Sequence, residues 1–325
     1  MNIRDFKNFL NKILVFYNPD KAGYWNTITR CCISEKPKEL SRYYLDFSSK
    51  AEYPGRLTRD GIPLYSFFGQ PEIEHPIVIA QFAFGIFELL YRSGFKDLKL
   101  KNNFIGLADW FIMNKVQTPG GIGWLVNYKI PDYGLVNPWI SALAQGEAIS
   151  VLSRASMLTS DKTYSDIAEL ALNPFETEVS NGGLLNYFNN VPIYEEYPSP
   201  LRTVGVLNGF MFSLFGLYDL LLLSKSGKAE KLFSSGIEAL QKLLPYYDLG
   251  YWSRYYLFDF PKKYTASFTY QSLMAEQLKA LYFITGEILF KDYSDKWLGY
   301  TKRIINKNRA LIHKIIYARK ISPKG

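Results

Sequence analysis

The sequence predicts a mainly α protein: an α/α toroid of about four helix pairs, with short β hairpins and a small N-terminal β-containing segment. Three observations predict it. Long apolar-periodic helices start near His75, Pro138, Leu207 and Tyr270, roughly 65 residues apart. A second helical stretch follows each of them, over about 98–115, 161–173, 228–245 and 286–300. The composition is globular, with 48% hydrophobic and 21% charged residues. That balance excludes a disordered or fibrous chain and supports a core that needs no disulfide staples.

Taken in order, residues 1–70 are mixed and turn-rich. Arg42 to Phe47 alternates weakly and reads as a strand, while Tyr53-Pro54-Gly55 and Asp60-Gly61-Ile62-Pro63 are turn signals. Residues 71–300 carry the helix pairs and form the predicted catalytic body. Between pairs stand Gly-, Trp- and Tyr-rich loops with short strand-like runs at Gly123 to Tyr128, Gly183 to Phe188 and Tyr251 to Phe258. The leading helices place Gln81, Gln145, Glu147, Asn208 and Gln271 among apolar neighbours. Such residues either line a central cavity or find a dedicated partner in a filled core. The toroid reading puts the loops Gly120–Tyr128, Asn190–Thr203 and Asp248–Lys263 on one rim.

Residues 301–325 read as a basic amphipathic helix with Ile304, Ile305, Leu311, Ile312, Ile315 and Ile316 at helical spacing. The net charge of +8 belongs to this end: nine Lys/Arg and one Asp lie between Asp295 and Gly325, leaving 29 basic and 29 acidic residues elsewhere. The tail either packs with a solvated basic face or meets an anionic membrane or polyanion. The apolar stretches Ile77 to Tyr91 and Val206 to Leu223 contain charged or amide residues, and the run Ile13 to Tyr17 is short for a signal segment. The expectation is a cytoplasmic protein, peripheral to a membrane through its tail if at all. A homodimer is left open.

Several chemistries are excluded. The only cysteines, Cys31 and Cys32, are adjacent, and the only histidines are His75 and His313. A disulfide framework, a Cys/His zinc site and a Ser-His-Asp triad are therefore not expected. Pro119-Gly120-Gly121-Ile122-Gly123 lacks the Lys-Ser/Thr of a phosphate loop. No cofactor, metal or nucleic-acid partner is expected. The 25 Tyr, 23 Phe and 6 Trp suit sugar-binding surfaces and equally suit an aromatic core.

Three stretches carry candidate chemistry. Tyr194-Glu195-Glu196-Tyr197-Pro198 sets two carboxylates among phenols, a pairing suited to proton transfer. Tyr251-Trp252-Ser253-Arg254 offers a guanidinium fork for a carboxylate. Tyr264 and Tyr270 open the fourth leading helix. Each also reads as a solvated turn or ordinary packing.

Three motifs in order carry a resemblance: Pro138-Trp139-Ile140-Ser141-Ala142-Leu143-Ala144-Gln145-Gly146-Glu147-Ala148, then Glu195-Glu196-Tyr197-Pro198, then Leu207-Asn208-Gly209-Phe210-Met211 through Leu217-Tyr218-Asp219-Leu220. Together they resemble the C-terminal region of D-glucuronyl C5-epimerases, over about residues 60 to 300. The resemblance implies a helical toroid that inverts C5 of glucuronate units in a heparosan-like acidic polysaccharide without metal or nicotinamide. It implies Glu196 and a tyrosine, Tyr270 or Tyr264, as proton-transfer groups. Tyr197 and Tyr251 would lie near the uronate, with Arg254 on its carboxylate. His75 and Asn208 would hold neighbouring sugars, and Ser141, Gln145 and Gln271 are further substrate-binding candidates. A uronate lyase and a non-catalytic polysaccharide-binding protein are the competing readings.

Overall fold

The computed structural model describes residues 27–66, 70–258 and 264–321, together with Ile13, Leu14, Phe16, Tyr17 and Tyr24; side chains of the last helix are described to 316. Parts of three expectations fall outside the described residues: most of 1–26, positions 259–263 of the third loop, and 322–325 of the tail.

The protein is mainly helical. Four pairs follow one another: α1 (Pro76–Arg92) with α2 (Leu98–Met113), α3 (Ala142–Thr159) with α4 (Lys162–Leu170), α6 (Leu207–Ser224) with α7 (Gly227–Tyr247), and α8 (Phe268–Thr285) with α9 (Ile288–Lys302). A single-turn helix, α5 (Asn173–Glu176), follows α4, and α10 (Ile304–Ile321) is the last described element. Among the described residues three two-stranded antiparallel pairs stand between elements: β1 (Leu64–Tyr65) with β2 (Ile73–Glu74), β3 (Val116–Thr118) with β4 (Gly121–Gly123), and β5 (Leu185–Phe188) with β6 (Val191–Tyr194).

The first three of the second helices start at ordinary side-chain caps, and α9 starts without one. Asp97 accepts from the Leu100 N–H, Asp161 from Thr163 and Ser226 from Ala229. Among the leading helices, α1 is capped by the His75 imidazole and α8 by Ser267. The other two begin without a side-chain cap. Their first N–H groups go to the inter-pair loops instead: Ala142 N–H donates to the Glu195 carbonyl (2.9 Å) and Leu207 N–H to the Tyr255 carbonyl (3.2 Å). Each loop is thus pinned to the start of the preceding leading helix.

The leading helices pack in chain order, α1 on α3, α3 on α6 and α6 on α8. The α3–α6 approach is close because two glycines meet there. A Cβ on Gly146 would lie 2.5 Å from Ser213 Cα, and one on Gly216 would lie 2.2 Å from the Gly146 oxygen. Between α1 and α8 runs the N-terminal segment. Tyr43 stacks on Phe84 of α1 (4.0 Å), Tyr44 packs on Phe215 of α6 (4.9 Å), and the Cys31 N–H donates to Glu276 of α8 (3.0 Å).

Two expectations are corrected. Arg42 to Phe47 is not a strand; only one bridge forms there, between Leu45 and Cys31. Tyr43, Tyr44 and Leu45 are all buried in succession, because helices cover the segment on more than one side, so alternation has no meaning. The third loop, Tyr251 to Phe258, likewise makes isolated bridges, Asp248 with Ser253 and Arg254 with Thr265, not a hairpin. The apolar helix α6 is long enough to cross a membrane by composition, yet 78% of that stretch is buried inside the protein, where it forms the centre of the core.

Candidate active site

A cavity of about 410 Å³ opens where the loops and the N-terminal segment meet the leading helices. Among its walls are Glu196 and Tyr197 from the second loop, Tyr128 from the first, and Asn208 and Tyr270 from the first turns of α6 and α8. His75 and Gln81 belong to the start of α1, and Lys50 and Tyr65 to the N-terminal segment.

Glu195 and Glu196 are buried neighbours, both pushed up to about 8 by burial, but they have different partners. Glu195 is closed off: its carboxylate accepts from the Val204 and Gly205 N–H groups (2.8 and 3.0 Å) and from Asn186 (3.4 Å). That clamp shapes the loop leading into α6. Glu196 faces the cavity, and its Oε2 has no protein partner. Burial pushes its carboxyl up to about 8, against a hydrogen bond from the Tyr197 hydroxyl that favours the ionised form. The carboxylate lies against the first turn of α6 at a glycine. A Cβ on Gly209 would stand 2.3 Å from Glu196 Oε2, so the Asn208-Gly209 pair makes room for the acid.

Tyr270 faces the same cavity. Burial, and then the Glu196 charge, push its phenol up to about 12, while a hydrogen bond with Tyr255 works the other way. Their rings lie 4.7 Å apart. Tyr128 and Tyr197 are also held neutral by burial and the same carboxylate.

His75 is a neutral donor of fixed tautomer. Its Nδ1 accepts the Ile77 N–H (3.2 Å), so the proton sits on Nε2, which has no protein partner. Burial holds the ring down to about 3, and it stacks on Tyr128 at 5.2 Å. The Asn208 side-chain oxygen is also buried without a partner. Behind the wall, Gln81 donates to Glu147 (3.1 Å), whose own carboxyl is pushed well above the usual range by burial and then by the Glu196 charge.

The structure thus brings together His75, Glu196, Tyr197, Asn208 and Tyr270, and it does not bring the other candidates to this wall. Arg254 donates to the carbonyls of Leu257, Phe258 (3.1 Å) and Tyr246 (3.4 Å), where it ties the third loop together. Tyr251 turns toward α10: its hydroxyl meets His313 Nδ1 (3.0 Å) and Arg309 lies over its ring at 3.8 Å. Tyr264 stacks on Tyr256 (5.2 Å) with Lys314 over its ring, one tyrosine removed from Tyr270. Gln145 donates to the Ile122 and Ala171 carbonyls (2.7 and 2.9 Å). Gln271 accepts from Ser253 N–H and hydroxyl and donates to Trp297. These two amides are the dedicated partners that a filled core requires. Ser141 sits fully buried at the start of α3 with an unpartnered hydroxyl, away from the cavity lining.

Sequence reasoning missed Lys50, Tyr65 and Tyr128. Lys50 sits in a turn with no periodicity, and nothing local marks it as inward-facing. Tyr128 carried one usable signal, its place in a loop predicted to share the rim. Among the described residues no group of three or more His, Cys, Asp or Glu side chains converges to hold a metal.

The family model of the D-glucuronyl C5-epimerase C-terminus matches residues 118–299, more than half of the chain. The chain belongs to that family. It is 35% identical over 214 residues to a D-glucuronyl C5-epimerase of Caenorhabditis elegans, across 61% of this chain and 34% of that protein. It is 32% identical over 182 residues to the uncharacterized protein MJ1128 of Methanocaldococcus jannaschii, across 54% of this chain and 57% of that one. The aligned region therefore spans between a third and three fifths of these relatives' lengths. The C5-epimerase match includes Glu196, Asn208 and Tyr270 but begins after Lys50 and His75, so the family region and the N-terminal part each contribute walls to the cavity.

Proposed function

We propose that this protein inverts C5 of uronate units in an acidic polysaccharide, converting D-glucuronate to L-iduronate in a polymer of the heparosan type. The observation that carries this reading is Glu196, the one carboxyl among the described residues that line the cavity, facing the same cavity as the Tyr270 phenol. The C5 hydrogen is α to a carboxylate, so its removal builds enolate-like charge. Inversion requires a proton acceptor on one face of the ring and a donor on the other.

The environments divide the roles. Glu196 at about 8 is a stronger base than an ordinary carboxylate, yet far easier to ionise than Tyr270 at about 12. Glu196 takes the C5 proton of glucuronate, and Tyr270, still protonated, returns one from the opposite face. The reverse reaction exchanges the roles. The His75 Nε2–H and the Asn208 side-chain oxygen, both unpartnered, suit sugar hydroxyls. A second hollow of about 420 Å³, lined by Pro138, Trp139 and Pro198, adjoins the site through the Trp139–Tyr197 contact and suits a continuing chain.

Incubation of heparosan with the protein in heavy water tests the reading. Deuterium at C5 with iduronate formed and chain length unchanged is the expected result. Unsaturated, ultraviolet-absorbing ends would reassign the protein as a lyase. Binding without C5 exchange would leave a polysaccharide-binding protein.

A further inference from the structure

We propose that the outer face of α10 lies on an anionic lipid surface, with its isoleucines at the boundary of the acyl chains and the neighbouring Lys302, Arg303 and Arg309 on the headgroups. The proposal goes beyond the epimerase reading and does not depend on it.

α10 packs the opposite way round from an ordinary surface helix. Residues seven and eleven positions apart fall on one line of a helix. Ile305, Ile312 and Ile316 form such a line, and they are 76%, 55% and 39% exposed. The line on the other side faces the protein and carries two lysines. Lys307 Nζ lies 5.1 Å from the Phe268 ring centre, and Lys314 donates to the Thr265 carbonyl (3.0 Å) and lies over the Tyr264 ring. Between them Ala310 is fully buried and Leu311 packs on the core. An amphipathic pattern by itself would turn the isoleucines inward and the cations outward. Folding instead lays the lysines on aromatic rings and leaves a row of isoleucines in water. Single exposed isoleucines are ordinary, but a row of three along one helix face marks a contact surface. Tyr17, itself exposed, adds a ring to its edge, where the hydroxyl donates to Asn308.

Charge says what covers this face. Nine Lys/Arg and a single acid, Asp295, stand between Asp295 and Gly325. Asp295 meets Lys291, and Lys296 meets Asp248. Lys302, Arg303 and Arg309 are exposed and form no ion pair among the described residues. A second copy of the chain would set these cations against their own counterparts. An acidic polysaccharide would answer the charges and leave the isoleucines in water. A bilayer with anionic headgroups meets both, because apolar side chains enter its boundary while cations stay at headgroup level. α10 rests on Thr265 and Phe268, where α8 begins, so docking sets the helix that carries Tyr270 beside the bilayer.

Flotation with two kinds of vesicle tests the proposal: phosphatidylcholine alone, and an equal mixture of phosphatidylcholine and phosphatidylglycerol. Wild-type protein is expected to prefer the mixed vesicles by about tenfold or more at low salt, and the preference should shrink in high salt. Lys302→Ser should weaken that binding about fivefold. The triple change Ile305→Ser, Ile312→Ser, Ile316→Ser should weaken it by at least about tenfold, with the melting temperature kept. If the triple variant does not fold, Ile305→Ser alone carries the test with a loss of about threefold. Wild-type protein that floats with neither vesicle, or a folded isoleucine variant that floats as well as wild type, overturns the proposal. A wild-type dimer that the isoleucine variant dissolves in the absence of vesicles also overturns it and makes the face a self-association surface. Loss of heparosan binding in Lys302→Ser, with no wild-type binding to either vesicle, assigns the cations to the polymer instead.

Discussion

Two buried polar clusters lie along the same pair of helices, α3 and α6, and the protein treats them differently. The first joins Arg154 and Asp219 to the N-terminal segment. Arg154 donates to both Asp219 oxygens (2.6 and 3.1 Å) and to the Ser150 carbonyl (3.1 Å), Tyr44 donates to Asp219 (2.6 Å), and Tyr43 lies over the guanidinium at 4.9 Å. Both charged groups are paired, and the Arg154 Nε and the hydroxyls of Tyr43 and Ser150 are left over. The second cluster, near the helix starts, holds Glu147, Glu196 and Asn208, with His75 across from them. Each of its four members keeps one polar atom without a protein partner. Opposite charges are paired in the first cluster; acids pushed toward neutrality are gathered in the second. One cluster is finished by folding, and the other is left to be finished by a ligand.

The sharpest way to break this comparison is through activity. Tyr270→Phe and Glu196→Gln should each lower C5 inversion by about 10²–10⁴-fold, since each removes one proton-transfer group. With Tyr270→Phe, exchange into one epimer should outlast inversion; Glu196→Gln should show the complementary preference. Equal loss of exchange for both epimers, with polymer binding kept, would remove support for a two-sided division.

The closed cluster should respond in stability. Asp219→Asn leaves a guanidinium buried without its counter-charge and should cost about 3–5 kcal/mol in a denaturant titration. A change below about 1 kcal/mol would mean the pair is not the anchor its bonding suggests.

Arg254→Lys separates two roles. A lysine cannot span three carbonyls with a planar fork, so a stability loss of about 1–3 kcal/mol is expected, with turnover per folded molecule largely kept. Full stability with collapsed turnover would place Arg254 on the uronate, as the family resemblance implies.

The smallest effect concerns pH. The folded protein holds Glu196 up to about 8 against an ordinary value of 4.5, so folding is favoured at low pH and penalised as pH rises through 8. Glu196→Gln has no charge to bury. Its melting temperature should match wild type near pH 4.5 and exceed it increasingly toward pH 8. Wild-type kcat/KM should rise over the upper part of that range as the base ionises. Parallel melting curves for the two proteins at all pH values would show that Glu196 is not held neutral.

Much of this was legible in the chain. Helical periodicity located the four pairs, because an apolar stripe is a local pattern and three of the second helices also carry a local cap, Asp97, Asp161 or Ser226. The candidate stretches were legible, a Glu195-Glu196 pair beside phenols before Pro198 and the tyrosines Tyr264 and Tyr270 near a helix start, because these are local patterns, but which acid and which tyrosine line the cavity was not. What the sequence by itself determined was therefore the helical repeat, the family and the local motifs. Tertiary structure alone decided which of two adjacent glutamates would be open. Leu184 and the α3 start fix the Glu195 backbone, the loop N–H groups of Val204 and Gly205 take its side chain, and Gly209 leaves space for its neighbour. It also decided which polar side chains would be spent on the core, as with Gln145, Gln271 and Arg254, and that a lysine from a turn-rich segment would reach the cavity. The physical reason is the range of the forces. Caps and periodicity act within a few residues of one element, whereas burial, desolvation and the satisfaction of a buried donor depend on partners from other elements, such as Trp297 for Gln271, 26 positions away, or Glu276 for the Cys31 N–H, 245 positions away.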